Sequence, residues 1–245
     1  MKIDGLHSGG VITNYHCSSR CLHCLYNCGP ERSRDYISVA MAANIFSILK
    51  SQGCRAIHVG GGEPFLNFSG LLEFVKTAAA AGIAIEYIET NSSWYKNRAD
   101  AIDKLEKLLD AGVSCLLLSV SPFHNEYIPL RKFNGVAETC RSTGMQVFPW
   151  ISDFYREIAA LDVERTHPLR EYAGVFGSDA IPALRRRYSL TMRGRALETF
   201  KKQLKPQSCE NICASSGPCH NLTETSHFHI DLYGNYIPGL CTGLA

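Results

Sequence analysis

Four cysteines fall within twelve residues: Cys17, Cys21, Cys24 and Cys28, spaced C-x3-C-x2-C-x3-C. Short cysteine runs of this kind converge several sulfurs on one centre, as at zinc and iron–sulfur sites. A structural zinc site takes paired C-x2-C halves separated by a longer loop, and this run has only one C-x2-C step. A bacterial ferredoxin run reads C-x2-C-x2-C-x3-C-P; here the first gap is one longer and Gly29 precedes Pro30. A third reading takes only Cys17, Cys21 and Cys24, a C-x3-C-x2-C set, with Cys28 left over. The run follows the first apolar stretch directly, and loops at strand C-termini are where α/β proteins build active sites.

Other residues with chemical potential follow later strands. Gly60-Gly61-Gly62-Glu63-Pro64 lets the backbone approach a ligand closely, and its carboxylate suits an ammonium group. The competing explanation is a tight turn with Pro64 opening a helix at its preferred first position. A phosphate loop is excluded, since no G-K-[ST] follows and Glu63 repels phosphate. Thr90, Asn91, Ser92, Ser119 and Ser121 are polar residues at strand ends, where they contact ligands or cap the next helix. His124 and Glu126 sit in a polar loop on the same face, as substrate groups or as ordinary surface residues. A second group, Cys209, Cys213, Cys219 and Cys241, surrounds a predicted hairpin over Ile230–Pro238 with its turn at Tyr233-Gly234-Asn235. It is a candidate site for an iron–sulfur cluster or for zinc, with His220, His227 or His229 assisting. Cys54, Cys115 and Cys140 lie in apolar stretches and read as core.

These groups need a scaffold that brings distant loops together. The chain alternates short apolar runs with amphipathic stretches: strands are predicted at Val11–Tyr15, Ala56–Val59, Ile83–Ile88, Ser114–Val120 and Gln146–Ile151, with a sixth at Tyr188–Met192. Helices are predicted at Ser38–Ser51, Leu71–Ala81, Ala99–Ala111, Val136–Ser142 and Arg195–Gln203. Repeated βα units of about 30 residues imply an α/β fold with a parallel sheet. Six units are fewer than the eight of a complete barrel. The pattern changes near Pro206, which gives a core of 1–205 and a Cys-rich extension of 206–245.

Cys17, Cys21 and Cys24, with Gly60–Pro64 after the second strand, resemble the signature motifs of the radical S-adenosylmethionine (SAM) superfamily. The resemblance implies a partial (βα)6 TIM-like barrel. It also implies that Cys17, Cys21 and Cys24 ligate a [4Fe–4S] cluster. Three thiolates leave one iron free for the amino and carboxylate groups of SAM; Cys28 as a fourth ligand would close that position. The same resemblance places His23 at the adenine, Gly61, Gly62 and Glu63 at the methionine amino group, Asn91 and Ser119 at the ribose and carboxylate, and Arg195 of Gly194-Arg195-Ala196 at the carboxylate. The tail resembles a short SPASM or twitch extension, which implies one auxiliary iron–sulfur cluster or zinc at Cys209, Cys213, Cys219 and Cys241. The implied reaction is reductive cleavage of SAM to a 5′-deoxyadenosyl radical that abstracts a substrate hydrogen. The electron comes from a reducing partner such as flavodoxin or ferredoxin. The expected substrate is a peptide or protein side chain, with a small molecule (nucleoside or sugar) as the alternative. A non-catalytic electron carrier is the other class, and such a carrier has no need of Gly60–Pro64.

Composition narrows the setting. The 245 residues are 45% hydrophobic and 20% charged with net charge +2, which excludes a disordered or fibrous chain. Eleven cysteines are an odd count and too few for a disulfide scaffold. No apolar run approaches the ~18 residues of a membrane span, and Met1–Cys17 lacks the apolar run of a secretory signal. The expected compartment is therefore the reducing cytoplasm, with no membrane association. The near-neutral balance gives no basic footprint for nucleic acid.

Overall fold

A computed structural model describes residues 5–177, 180–188, 190–215, 217, 224–225 and 227–238. Its centre is a seven-stranded sheet. The strands are β2 (Gly9–Ile12), β3 (Ala56–Gly60), β4 (Ala84–Thr90), β5 (Cys115–Ser119), β6 (Gln146–Trp150), β8 (Phe228–Asp231) and β9 (Tyr236–Pro238), in the order β6-β5-β4-β3-β2-β8-β9. All neighbours run parallel except β8 and β9, which form an antiparallel hairpin. A separate two-stranded ribbon pairs β1 (Gly5–Leu6) with β7 (Glu224–Thr225).

The helices between the strands start and stop where local chemistry dictates. Helix α1 (Val39–Ser51) opens at Ser38, whose hydroxyl accepts from the Met41 amide at 3.1 Å, and it buries Ala42, Ile45, Phe46 and Leu49 at helical spacing. Helix α2 (Phe68–Ala81) is capped by Asn67, buries Leu71, Phe74, Val75 and Ala78, and ends at Gly82 with φ +75°. Helix α3 (Arg98–Asp110) is capped by Asn97. A short α4 (Pro122–Asn125) precedes α5 (Leu130–Thr143), which stops at Gly144 with φ +80°. Short helices α6 (Phe154–Ala159), α7 (Ala173–Phe176), α8 (Ala180–Tyr188), α9 (Gly194–Phe200) and α10 (Cys209–Ser215) complete the described chain. No helix among the described residues is long and apolar enough to cross a membrane.

The α/β class and five of the predicted strands agree with this architecture. The sixth strand at Tyr188–Met192 does not form: Tyr188 ends α8 and residues 190–193 are irregular. Arg185, Arg186 and Arg187, good helix formers, carry the helix as far as Tyr188, the first residue of the stretch read as strand. Among the described residues no strand pairs with the outer edge of β6, where Phe148 and Trp150 are exposed. The sheet grows at its other edge instead, where the hairpin beyond residue 205 joins β2. That hairpin turns on Asp231, whose carboxylate accepts from the amides of Tyr233 (3.0 Å) and Asn235 (2.9 Å). The first strand is earlier than predicted: after Ile12 the chain leaves the sheet and Thr13 donates its amide to the Gly60 carbonyl at 3.1 Å.

Candidate active site at the strand ends

The C-terminal ends of the parallel strands share one cavity of about 400 Å³. The loop after β2 supplies Cys17, Cys21, Cys24 and Cys28 to its wall. Cys17, Cys21 and Cys28 are buried and Cys24 is partly open. The loop is held at both ends: the Cys17 amide donates to the Gly29 carbonyl at 3.2 Å and the Gly29 amide to the Tyr15 carbonyl at 3.3 Å. The Cys24 sulfur accepts from the Cys28 amide at 3.3 Å. A hydrogen bond from the Cys28 thiol, outweighing burial, brings the Cys24 thiol down to about 6. Donating that hydrogen bond raises the Cys28 thiol, and burial adds to it. Burial, reinforced by Glu63, pushes the Cys17 thiol up to about 12.

Among the described residues, Cys17, Cys21 and Cys24 do not all bring their sulfurs within 4.8 Å of one another. Tetrahedral zinc, with Zn–S bonds of about 2.3 Å, needs sulfurs about 3.8 Å apart. As placed, the three sulfurs are not all as close as one tetrahedral zinc ion holds them.

The loop after β3 is clamped to the residues that precede Cys17. Gly62 donates to the Asn14 carbonyl at 2.8 Å and Glu63 to the His16 carbonyl at 3.0 Å. A Cβ on Gly62 would lie 2.0 Å from the His16 oxygen, so glycine is required by the protein's own backbone as well as by any ligand. Gly61 has φ +139°. Glu63 is buried, and its carboxylate accepts from the Thr90 hydroxyl (2.9 and 3.0 Å), the Asn91 amide (2.7 Å) and the Phe65 amide (3.2 Å). Burial outweighs these donors and pushes its carboxyl up to about 7. Asn91 joins the two loops: its side-chain amide lies 3.4 Å from the Cys17 sulfur and from the hydroxyls of Ser18 and Ser19.

An aromatic wall faces the cysteines. His23 stacks on Phe123 (4.7 Å between centroids), meets His124 and Tyr188 edge-on, and lies 3.1 Å from the Tyr188 hydroxyl. Ser119 and His124 line the same cavity. Ser121 does the work of a cap, 2.8 Å from the His124 ring and at the start of α4. Glu126 is likewise occupied, accepting from the Leu169 amide at 3.1 Å.

Arg195 is buried but does not line the cavity. Its guanidinium donates to the carbonyls of Cys21 (3.1 Å) and Cys28 (2.7 Å), and its amide to the Cys24 carbonyl (3.0 Å). Gly194 permits this contact, since a Cβ there would lie 2.3 Å from the Leu25 carbonyl oxygen. Of the tail cysteines, Cys209 and Cys213 lie one turn apart on α10 and are exposed. Cys219, Cys241 and His220 lie outside the described residues.

Sequence reasoning missed several cavity residues: Tyr26, His58, Tyr87, Glu89, Trp150 and Tyr188. The one local signal is His58 itself, a polar ring within the buried strand Ala56–Gly60. Burial, with His229 and His227 nearby, lowers the His58 imidazole to about 3, so it is neutral.

A model of the radical SAM superfamily matches residues 11–142. The curated proteins contain no match. Among solved structures, BtrN in complex with AdoMet and 2-DOIA is similar at a TM-score of 0.51 and 16% identity, over 98% of this chain and 75% of that one. Native anSMEcpe with bound AdoMet and Cp18Cys peptide gives a TM-score of 0.43 at 16% identity, over 65% and 49%. Streptococcus suis SuiB bound to its precursor peptide SuiA gives 0.46 at 12% identity, over 96% and 60%. The matches thus span about half of the anSMEcpe chain and 60% of SuiB. The likeness to BtrN is one of fold.

Proposed function

This chain belongs to the radical SAM superfamily, and on that premise we propose that it is a radical SAM enzyme acting at the cavity of the strand ends. The observation that carries the reading is that one cavity gathers Cys17, Cys21 and Cys24 with His23, Gly61, Gly62, Asn91 and Ser119 from four separate strand-end loops. Bound there, a [4Fe–4S] cluster and SAM would supply one-electron reductive cleavage of SAM and hydrogen abstraction from the substrate. The chain's residues bind, orient and shield. Cys17, Cys21 and Cys24 hold the cluster, and Arg195 fixes the loop that carries them. The backbone of Gly61–Gly62 receives the ammonium group with the buried Glu63 carboxyl behind it, and His23, backed by Phe123, packs the adenine together with Tyr188. Asn91 and Ser119 take the polar edge of the cofactor. Burial of these groups limits side reactions with water.

For the substrate we favour a peptide or protein side chain. Supporting it, β6 is a sheet edge with no partner strand among the described residues, its Trp150 reaches the cavity, and an extended peptide adds readily to such an edge. A small molecule is the second reading, since about 400 Å³ lies within the usual range of small-ligand sites. In the extension of 206–245, the exposed Cys209 and Cys213, with Cys219 and Cys241, are proposed to hold an auxiliary iron–sulfur cluster or zinc. A flavodoxin or ferredoxin is the proposed reductant. The test is electron paramagnetic resonance of the anaerobically reconstituted, reduced protein. A cluster signal that changes on adding SAM, and that is absent in Cys21→Ala, supports the reading; a signal indifferent to SAM counts against it.

A further inference from the structure

The sheet register builds a second constellation in the same cavity. His58 on β3 and His229 on β8 are both paired with Gly10 of β2, one on each side. Gly10 has no side chain, so the two imidazoles meet across it with Nε2 to Nε2 at 3.3 Å. A Cβ on Gly10 would lie 2.3 Å from the His58 Nε2. His227, two residues before His229, stacks parallel to His58 at 5.3 Å. The three histidines bring ring nitrogens within 4.8 Å of one another, the one group among the described residues to do so. Glu89 places a carboxylate oxygen 3.9 Å from the His58 Nε2, and 38% of its side chain is exposed. Tyr87 stacks on His58 at 5.0 Å, and Tyr26 meets His229 edge-on at 5.6 Å.

We propose that His58, His227 and His229 form a site for a divalent first-row transition-metal ion, separate from the cysteines and opening on the same cavity. Neutral imidazoles suit zinc, iron, nickel and copper. Metal–nitrogen bonds of about 2.0–2.1 Å at tetrahedral angles put neighbouring nitrogens about 3.3–3.4 Å apart, the spacing already present between His58 and His229. His227 is only half-buried and its ring rotation closes the remaining gap. Three ligands leave a position for water or for an oxygen of the substrate, with Glu89 beside it. The ligand class is therefore an oxygen donor, a carboxylate, hydroxyl or carbonyl group. The site stands independently of the radical reading, because none of its ligands is a proposed contact of SAM or of the cluster at Cys17, Cys21 and Cys24.

The test uses as parent the full chain with both cysteine groups removed (Cys17→Ala, Cys21→Ala, Cys24→Ala, Cys28→Ala, Cys209→Ala, Cys213→Ala, Cys219→Ala and Cys241→Ala), stripped with chelator and titrated with cobalt(II). The expected result is one cobalt per chain, with visible d–d bands and no intense thiolate charge transfer. Adding His58→Gln or His229→Gln weakens binding at least about 100-fold, the upper end of what loss of a mere supporting partner costs. His7→Gln, on an exposed residue, leaves it unchanged. Circular dichroism checks that each variant is folded. Zinc raises the melting temperature of the parent, as ligand binding to the folded state requires, and that readout needs no variant. A parent that binds neither cobalt nor zinc, or whose only cobalt spectrum is thiolate charge transfer, overturns the proposal. So does undiminished binding in folded His58→Gln and His229→Gln.

Discussion

Arg195, at the start of α9, donates to the Cys28 carbonyl at 2.7 Å, across 167 residues of sequence. With its second bond to the Cys21 carbonyl, it braces the cysteine loop from behind. The planar guanidinium fork spans two carbonyls in a way that a lysine cannot. Arg195→Lys is expected to lower stability by roughly 1.5–3 kcal/mol, the value of a hydrogen bond to a charged group. Iron retained after reconstitution should fall with it, while SAM affinity per loaded cluster is unchanged. Thermal unfolding, iron analysis and equilibrium dialysis check the three parts.

Gly62→Ala forces a methyl group to within 2.0 Å of the His16 oxygen, and both partners are backbone. The loops after β2 and β3 must then separate, at about 1–3 kcal/mol for an overpacked site. Gly174→Ala, within α7 where a Cβ meets open space, should instead be stabilising by up to about 1 kcal/mol. Urea unfolding of the two variants against the parent measures the difference.

Glu63 gives the metal-free protein a pH dependence of definite sign. Its carboxyl is raised from 4.5 to about 7 in the fold. The native state therefore holds a proton that the unfolded chain has lost, and stability falls as pH rises from about 4.5 to about 7. The slope is on the order of 1.4 kcal/mol per pH unit for a single group. Glu63→Gln should remove it. Glu89 is raised in the same direction by burial, but its exposure to the cavity makes its share smaller. Unfolding midpoints measured across that window, for the parent and Glu63→Gln, decide the point.

His23 supplies an aromatic face between Phe123 and Tyr188. His23→Ala should weaken SAM binding about tenfold, the scale of one aromatic pair of 0.5–1.5 kcal/mol. His23→Phe should bind within about threefold of the parent, because the face is kept. Equilibrium dialysis on cluster-loaded protein compares them.

The cysteine loop and Gly60–Pro64 were legible in the sequence because their chemistry is written in local spacing. Helices α1, α2 and α5 were legible because caps or terminal glycines bound a regular apolar face. Tyr188–Met192 was misread because a short apolar alternation looks alike in a strand and at the end of a helix, and Arg185–Arg187 extended the helix into it. His227 and His229 were legible as possible metal ligands beside the tail cysteines, but their meeting with His58 was not. His58 and His229 are 171 residues apart, and they meet only through the register of β3, β2 and β8 and the missing side chain of Gly10. Arg195 was anticipated as a cofactor contact, and the structure places its guanidinium on the cysteine-loop carbonyls.

The central claim is that this cavity generates a radical from SAM. The direct measurement is 5′-deoxyadenosine released by cluster-reconstituted, reduced protein given SAM under anaerobic conditions. The account predicts its formation by the parent and its absence from Cys21→Ala. Cluster-loaded parent that yields no more 5′-deoxyadenosine than Cys21→Ala would contradict it.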